Sequence, residues 1–236
     1  MFERLHHQHI ALLLGSLDAA LLKRNHCLFG GGTAMALRFG EYRESVDVDF
    51  LVSDEDGYRQ LRQLLRGGAG IAPIVRDGAP VPEALREVRA DQYGIRTRVG
   101  VSGVTIKFEI VREGRIILDA PGGKDRICGV ATLTRVDMAA CKLLANSDRG
   151  LDDSTFNRDL IDLAMMAPER FVLESALAKA EAAYGQDVRR DFARALERLA
   201  TREGWLERCT QAMAISLPKA VLWQRLRSLE QKMARL

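Results

Sequence analysis

Cysteine is scarce in this chain. The four present, Cys27, Cys128, Cys141 and Cys209, are far apart and none stands in a CxxC pair. That argues against a zinc site and against a disulfide scaffold, and leaves buried free thiols in a reducing compartment as the expectation. Long apolar runs are missing too. No stretch approaches the roughly 20 residues that a membrane-spanning helix needs, so no membrane partner is expected. The early segment carries His6, His7 and His9 and an apolar stretch at 10–14, without the layout or cleavage site of a secretory signal. The expected location is cytoplasmic. Charge of one sign is also lacking: 35 Lys and Arg face 32 Asp and Glu, a formal net of +3. Such a balance permits an anionic partner without announcing one. Aromatic residues are few, and the two tryptophans, Trp205 and Trp223, are expected in the core. There is no internal repeat and no low-complexity linker.

What is present is ordinary globular material. The 236 residues, 47% of them hydrophobic, suffice for one large domain or two small ones with a sizeable core. Periodicity predicts one amphipathic helix over 2–24 and a short strand at 27–29 that ends in a glycine triplet. A short helix at 33–39 and a strand at 46–52 follow, and then a helix to about 66 capped by Ser53 or Asp54. A strand is predicted at 71–75, and 77–91 reads as an excursion with a helical piece. Residues 93–99 and 104–112 read as an antiparallel hairpin, with a further strand at 115–118. Beyond residue 133 the pattern turns helical, with segments at 135–146, 157–166, 168–184, 187–201, 203–212 and 218–235. The expected division is therefore 1–133, a mixed α/β part, and 134–236, an all-helical part.

Two features carry chemistry. Gly30-Gly31-Gly32-Thr33 stands where a strand turns into a helix. Glycine lets the backbone take positive φ and approach a ligand closely, and a helix start offers free N–H groups to anions. A ligand-free tight turn is the plain alternative. Asp47 and Asp49 then lie two apart on a predicted strand, which puts both on one face while Val46, Val48 and Phe50 face the core. Aspartate is depleted in strands, and paired carboxylates repel unless a cation lies between them. Hard oxygens suit Mg²⁺ held together with substrate phosphates. A third carboxylate is available on the hairpin: in 104–110, Thr105, Lys107 and Glu109 share the face opposite Val104, Ile106, Phe108 and Ile110. If this strand lies beside that of Asp47, Glu109 meets the aspartates; otherwise it belongs to a solvated Lys/Glu face.

Other features read as structure. The histidines near the start suit a solvated helix end. Arg189, Arg190, Arg194, Arg198 and Arg202 recur along one helix but alternate with Asp191 and Glu197, so a solvated face is expected, with an RNA-docking surface as the sharper alternative.

The string Gly31-Gly32-Thr33, thirteen residues (34–46), then Asp47-Val48-Asp49 resembles the signature of the DNA polymerase β-like nucleotidyltransferases. With Ala34-Met35-Ala36-Leu37, Arg43 and Ser45 it is similar to one branch, the AbiEii/AbiGii toxin nucleotidyltransferases of type IV toxin–antitoxin systems. That branch also carries a helical Lys, an Arg and an Arg-Asp-x-x-Asp element, here Lys142, Arg149 and Arg158-Asp159-Leu160-Ile161-Asp162. The insertion between Asp148 and Arg158 is longer than the pattern suggests, and the third acidic position is Glu.

The resemblance implies an α+β fold: a small mixed or antiparallel sheet flanked by helices, then a helical bundle closing an active-site cleft. It implies that Gly31, Gly32, Thr33 and Ser45 hold the donor NTP. Asp47, Asp49 and Glu109 bind Mg²⁺ or Mn²⁺. Lys142 neutralises phosphate charge, and Asp159 orients it or acts as base. The spacing by itself puts Asp159 and Asp162 on one helical face, with one a site residue and the other a partner of Arg158 or Arg149. The implied reaction moves an NMP from an NTP to an acceptor hydroxyl on a tRNA 3′ end, a nucleotide or a protein, and a cognate antitoxin is the expected partner. Two alternatives stay open: an antibiotic-type small-molecule nucleotidyltransferase, and a catalytically silent nucleotide- or partner-binding fold.

Overall fold

The computed structural model describes residues 2–236 and divides them into two compact units. The first holds the chain up to Glu41 and Ser45–Thr134; the second holds Tyr42–Glu44 and Arg135–Leu236.

The first unit opens with α1 (Leu5–Ser16) and α2 (Ala19–Arg24). The single helix expected over 2–24 is two, because the Asp18 side chain accepts from Leu21 N–H and starts a new helix. Strand β1 (Leu28–Gly30) runs into α3 (Gly31–Arg38), and β2 (Val48–Val52) leads to α4 (Glu55–Leu65), capped by Asp54. A short 3₁₀ turn, Ala72–Ile74, replaces the strand expected at 71–75; Pro73 at its start has no N–H for a strand ladder. The excursion holds two short strands, β3 (Glu83–Ala84) and β4 (Arg89–Ala90), rather than a helical piece.

The predicted hairpin is β5 (Gly94–Val101) and β6 (Val104–Arg112). Ser102 and Gly103 both take positive φ at its turn, as a tight two-residue connection requires. Residues 115–118 form no strand, and Ile117 points into solvent. A small hairpin of β7 (Arg126–Ile127) and β8 (Val130–Ala131) closes the unit.

The sheet runs β1-β2-β6-β5-β3, with β4 also paired to β5. It is mixed: β2 and β6 are parallel, while β1–β2 and β5–β6 are antiparallel. Period two gives it one apolar face. Val48, Phe50, Ile95, Val99, Ile106, Phe108 and Ile110 are all buried there. Rings of Phe29, Phe50 and Phe108 follow one another at 5.5 and 5.7 Å between centroids. Val46, expected to join this core, lies before the strand and is exposed.

The second unit is all helical: α5 (Arg135–Arg149), α6 (Arg158–Met166), α7 (Arg170–Tyr184), α8 (Asp187–Thr201), α9 (Trp205–Ala212) and α10 (Lys219–Met233). Helix α5 is central and packs on α6, α7 and α8. Trp205 is fully buried, as expected. It stacks on Phe156, and Arg198, Arg202 and Arg208 lie 4.8, 4.2 and 5.5 Å over its ring. Trp223 is only half-buried, with Arg227 5.1 Å over its ring. Arg198 and Arg202 also bind Asp153, so these two members of the arginine helix serve packing. All four cysteines are free thiols. Cys27 and Cys209 are buried, whereas Cys128, expected to be buried, is exposed in the β7–β8 turn.

Candidate functional site

In the first unit the glycine turn and the carboxylates share one end of the sheet. Gly31 adopts φ +68°, and a Cβ there would lie 2.4 Å from an Asp49 carboxylate oxygen. The missing side chain therefore makes room for Asp49 beside the start of α3. Thr33 is buried, and its hydroxyl donates to the Asp47 carbonyl at 2.5 Å. Ser45 Oγ stands 2.8 Å from the same hydroxyl. Thr33 and Ser45 thus hold the loop that delivers Asp47.

His7 supports this loop from behind. It is fully buried, donates from Nδ1 to Glu41 at 2.7 Å, and accepts the Ser45 N–H on Nε2 at 3.3 Å. This corrects the expectation of a solvated histidine cluster. Burial opposes the Glu41 charge, but the Glu3 N–H and His7 outweigh it and hold the carboxyl below its ordinary value. Nothing in the spacing of His6, His7 and His9 marks the middle one. The signal was its phase, three before Ile10 on the buried stripe of α1.

Parallel pairing of β2 and β6 sets Asp49 opposite Glu109. This meets the condition posed by the sequence: the two strands are neighbours. Asp47 precedes the strand by one residue, in line with Lys107 by continuation of that register. Glu109 is bound to Lys107 at 2.7 Å and to Arg96 at 3.2 Å. Burial disfavours the Lys107 charge, yet Glu109, Asp47 and Asp49 together raise its pKa. Three carboxylates thus already act on one cation, which belongs to a lysine. Their oxygens are hard donors of the kind Mg²⁺ takes. Among the described residues, however, no three His, Cys, Asp or Glu side chains are gathered as a metal cage.

The second unit holds a buried ionic network. Lys142 on α5 is buried and lies 2.9 Å from Asp159 and 2.6 Å from Asp162, both on α6. Asp159 and Asp162 are three apart and so share a helix face. Arg149 grips Asp159 at 2.8 and 3.1 Å. Asp162 is held by Arg43 at 2.6 and 2.9 Å and by the Tyr42 hydroxyl at 2.5 Å.

Of the pair expected to share one arginine partner, Asp159 binds Arg149. Asp162 instead binds Arg43, 119 residues away in the chain, which no local spacing reveals. Burial works against every charge here. Arg43 and Lys142 nonetheless hold Asp162 below the ordinary carboxylate range, and Lys142 and Arg149 do the same for Asp159. In return the two carboxylates raise Lys142. Upstream of α6, Phe156 and Asn157 both take left-handed φ. Asn157 is fixed by donating to the Gly150 carbonyl at 2.7 Å and accepting from the Trp205 ring at 2.6 Å.

No curated protein matches the chain. The crystal structure of JHP933 from Helicobacter pylori aligns over 100% of this chain and 95% of that one, at 17% identity with a TM-score of 0.56. At that identity the likeness concerns the fold. A second H. pylori structure, of a candidate nucleotidyltransferase, aligns over 83% of this chain and 98% of its own at 15% identity; its TM-score of 0.37 is too low to carry an argument. The model of the nucleotidyl transferase AbiEii toxin family, of type IV toxin–antitoxin systems, matches residues 13–233. The chain belongs to the AbiEii nucleotidyl transferase toxin family.

Proposed function

We propose that the protein is a divalent-metal-dependent nucleotidyltransferase that moves an NMP from an NTP to an acceptor hydroxyl and releases pyrophosphate, as the toxin of a toxin–antitoxin pair. The observation that carries this reading is the row formed by Gly30, Asp49 and Glu109 across β1, β2 and β6. It sets a glycine turn and two carboxylates from different strands side by side, with Asp47 two residues before Asp49.

In this reading the α3 N-terminus at Gly31 and Gly32 receives donor phosphate. Thr33 and Ser45 act by fixing the Asp47 loop. Asp47, Asp49 and Glu109 would hold Mg²⁺, and Lys107 and Arg96 position Glu109 in its row beside Asp49. A metal held there would supply activation of the acceptor oxygen and stabilisation of charge on the α-phosphate. In the helical unit, Asp159 and Asp162 keep Lys142 an ammonium, and we assign it a cationic role toward phosphate with Asp159 orienting it.

A cognate antitoxin and a cytoplasmic location are part of the same proposal. The acceptor candidates are a tRNA 3′ end, a nucleotide and a protein side chain. Incubation with Mg²⁺ and each labelled NTP, with total tRNA, with free nucleotides, with protein or with aminoglycosides, tests the reading. Label on one acceptor class supports it. NTP binding with no turnover on any acceptor favours a silent fold, and label only on aminoglycoside-type small molecules favours the antibiotic-type alternative.

A further inference from the structure

Past Glu109, the same face of the sheet changes sign. The row Gly30–Asp49–Glu109 continues to Arg96 on β5 and Arg89 on β4. The neighbouring row pairs Lys107 with Arg98. Arg86 lies alongside, its backbone N–H on the Arg98 carbonyl and its own carbonyl accepting from Thr97. These side chains line an open groove of about 590 Å³, with Glu87 the other carboxylate besides Glu109.

Two direct cross-strand pairs here are like-charged: Arg89 faces Arg96, and Arg98 faces Lys107. Such pairs cost stability in a sheet. Arg96 is offset by Asp91 and Glu109, and Lys107 by Glu109. Arg86, Arg89 and Arg98 have no ion-pair partner among the described residues. Three adjacent unneutralised guanidiniums in a groove are matched to phosphate, which they bind in forked geometry.

The glycine turn, on the other side of the carboxylates, already offers a place for donor phosphate. The arginine side is therefore left for the molecule that attacks. We propose that this groove binds the phosphodiester backbone of a single-stranded polynucleotide acceptor, directing its end toward Glu109. The inference rests on the nucleotidyltransferase reading for its orientation. The groove lining has no aromatic side chain on which bases would stack, so recognition runs through backbone phosphates and is insensitive to sequence along that stretch.

The test is fluorescence anisotropy with a labelled oligouridylate of about 12 nucleotides, within the span of single-strand grooves, titrated with salt and without Mg²⁺ or NTP. The variant is Arg86→Gln/Arg89→Gln/Arg98→Gln, with Arg86→Lys/Arg89→Lys/Arg98→Lys as a charge-keeping partner. At about 0.7 counterions per phosphate, the Gln variant should bind at least ~10-fold more weakly and flatten the log K against log salt slope by roughly 2. The Lys variant should keep the slope. Melting of the Gln variant should be unchanged or higher, since it relieves both like-charged pairs, and its binding of a fluorescent NTP with Mg²⁺ should equal wild type.

Wild-type affinity and slope in the folded Gln variant overturn the proposal. So does loss of NTP binding with oligonucleotide binding retained, which makes the groove the donor's. Competition by polyglutamate as strong as by the oligonucleotide also overturns it, in favour of an acidic protein. Groove-dependent binding in a protein that transfers nothing strikes the enzymatic reading and leaves the groove assignment standing.

Discussion

Asp49 and Glu109 face each other across the parallel pairing of β2 and β6, 60 residues apart in sequence and adjacent in the sheet. The contact is possible because Phe50 and Phe108, their neighbours in phase, lock the other face of the two strands into the core. Slipping either strand by one residue would bury the carboxylates and expose the rings, so the register that makes the core also makes the candidate site.

Gly31→Ala tests the close approach beside Asp49. At φ +68° an L-residue costs roughly 1–2 kcal/mol, and the new Cβ displaces the Asp49 carboxylate. Lower thermal stability and loss of nucleotide transfer are expected together. Gly15→Ala on α1, where a Cβ meets nothing within 4 Å, should be neutral or slightly stabilising. Equal behaviour of the two variants in calorimetry and transfer assays would contradict the assignment.

Asp162→Asn should be the most damaging change in the helical unit. It leaves the buried Arg43 guanidinium without its carboxylate, a loss of about 3–5 kcal/mol in comparable buried pairs. Asp159→Asn should cost less, because Arg149 is 40% exposed and water takes over part of its solvation. Urea midpoints of the two variants give the order; the reverse order would mean that Asp159 is the anchor of the network.

The pH dependence follows from the same groups. Asp159 and Asp162 have depressed pKa values, so their contribution is complete above the unfolded carboxylate value of about 4 and is lost as pH falls through the lower folded values. Lys142 is raised, so its contribution is complete below 10.5 and is lost at higher pH. The stability gap between wild type and Asp162→Asn should hold at neutral pH and narrow below about 4. A gap that stays constant down to pH 2 would rule out charge as its origin.

His7→Ala should remove the acceptor of the Ser45 N–H and strand the half-buried Glu41, at roughly 1–3 kcal/mol. Because His7 acts through the loop that carries Ser45 and Asp47, transfer should lose kcat more than it raises KM for NTP. An unchanged kcat in the folded variant would confine His7 to stability.

The legible part of this structure is what repeats locally. The 2-residue period of 104–110 gave the phase of Glu109, and the glycine triplet before a helical run gave the strand-to-helix turn at Gly31. Illegible were the features fixed by distant partners. Arg43 and Asp162 carry no mutual signal in their spacing, and Tyr42–Glu44 joins the helical unit although its flanking residues belong to the other. The short strands β3 and β4 pair along β5, and their own residues, Glu83-Ala84 and Arg89-Ala90, carry no strand pattern. Ile117, apolar and β-branched, suggested a strand at 115–118; it is a solvent-exposed loop residue.

The central claim is that Asp47, Asp49 and Glu109 serve metal-dependent nucleotidyl transfer. Pyrophosphate release from NTP, with Mg²⁺ and a polynucleotide acceptor, measures it directly in wild type and in Asp49→Asn. Release by wild type that requires Mg²⁺ and falls to background in a folded Asp49→Asn protein is the predicted result. Undiminished release by Asp49→Asn, or none by wild type with any NTP, would contradict it.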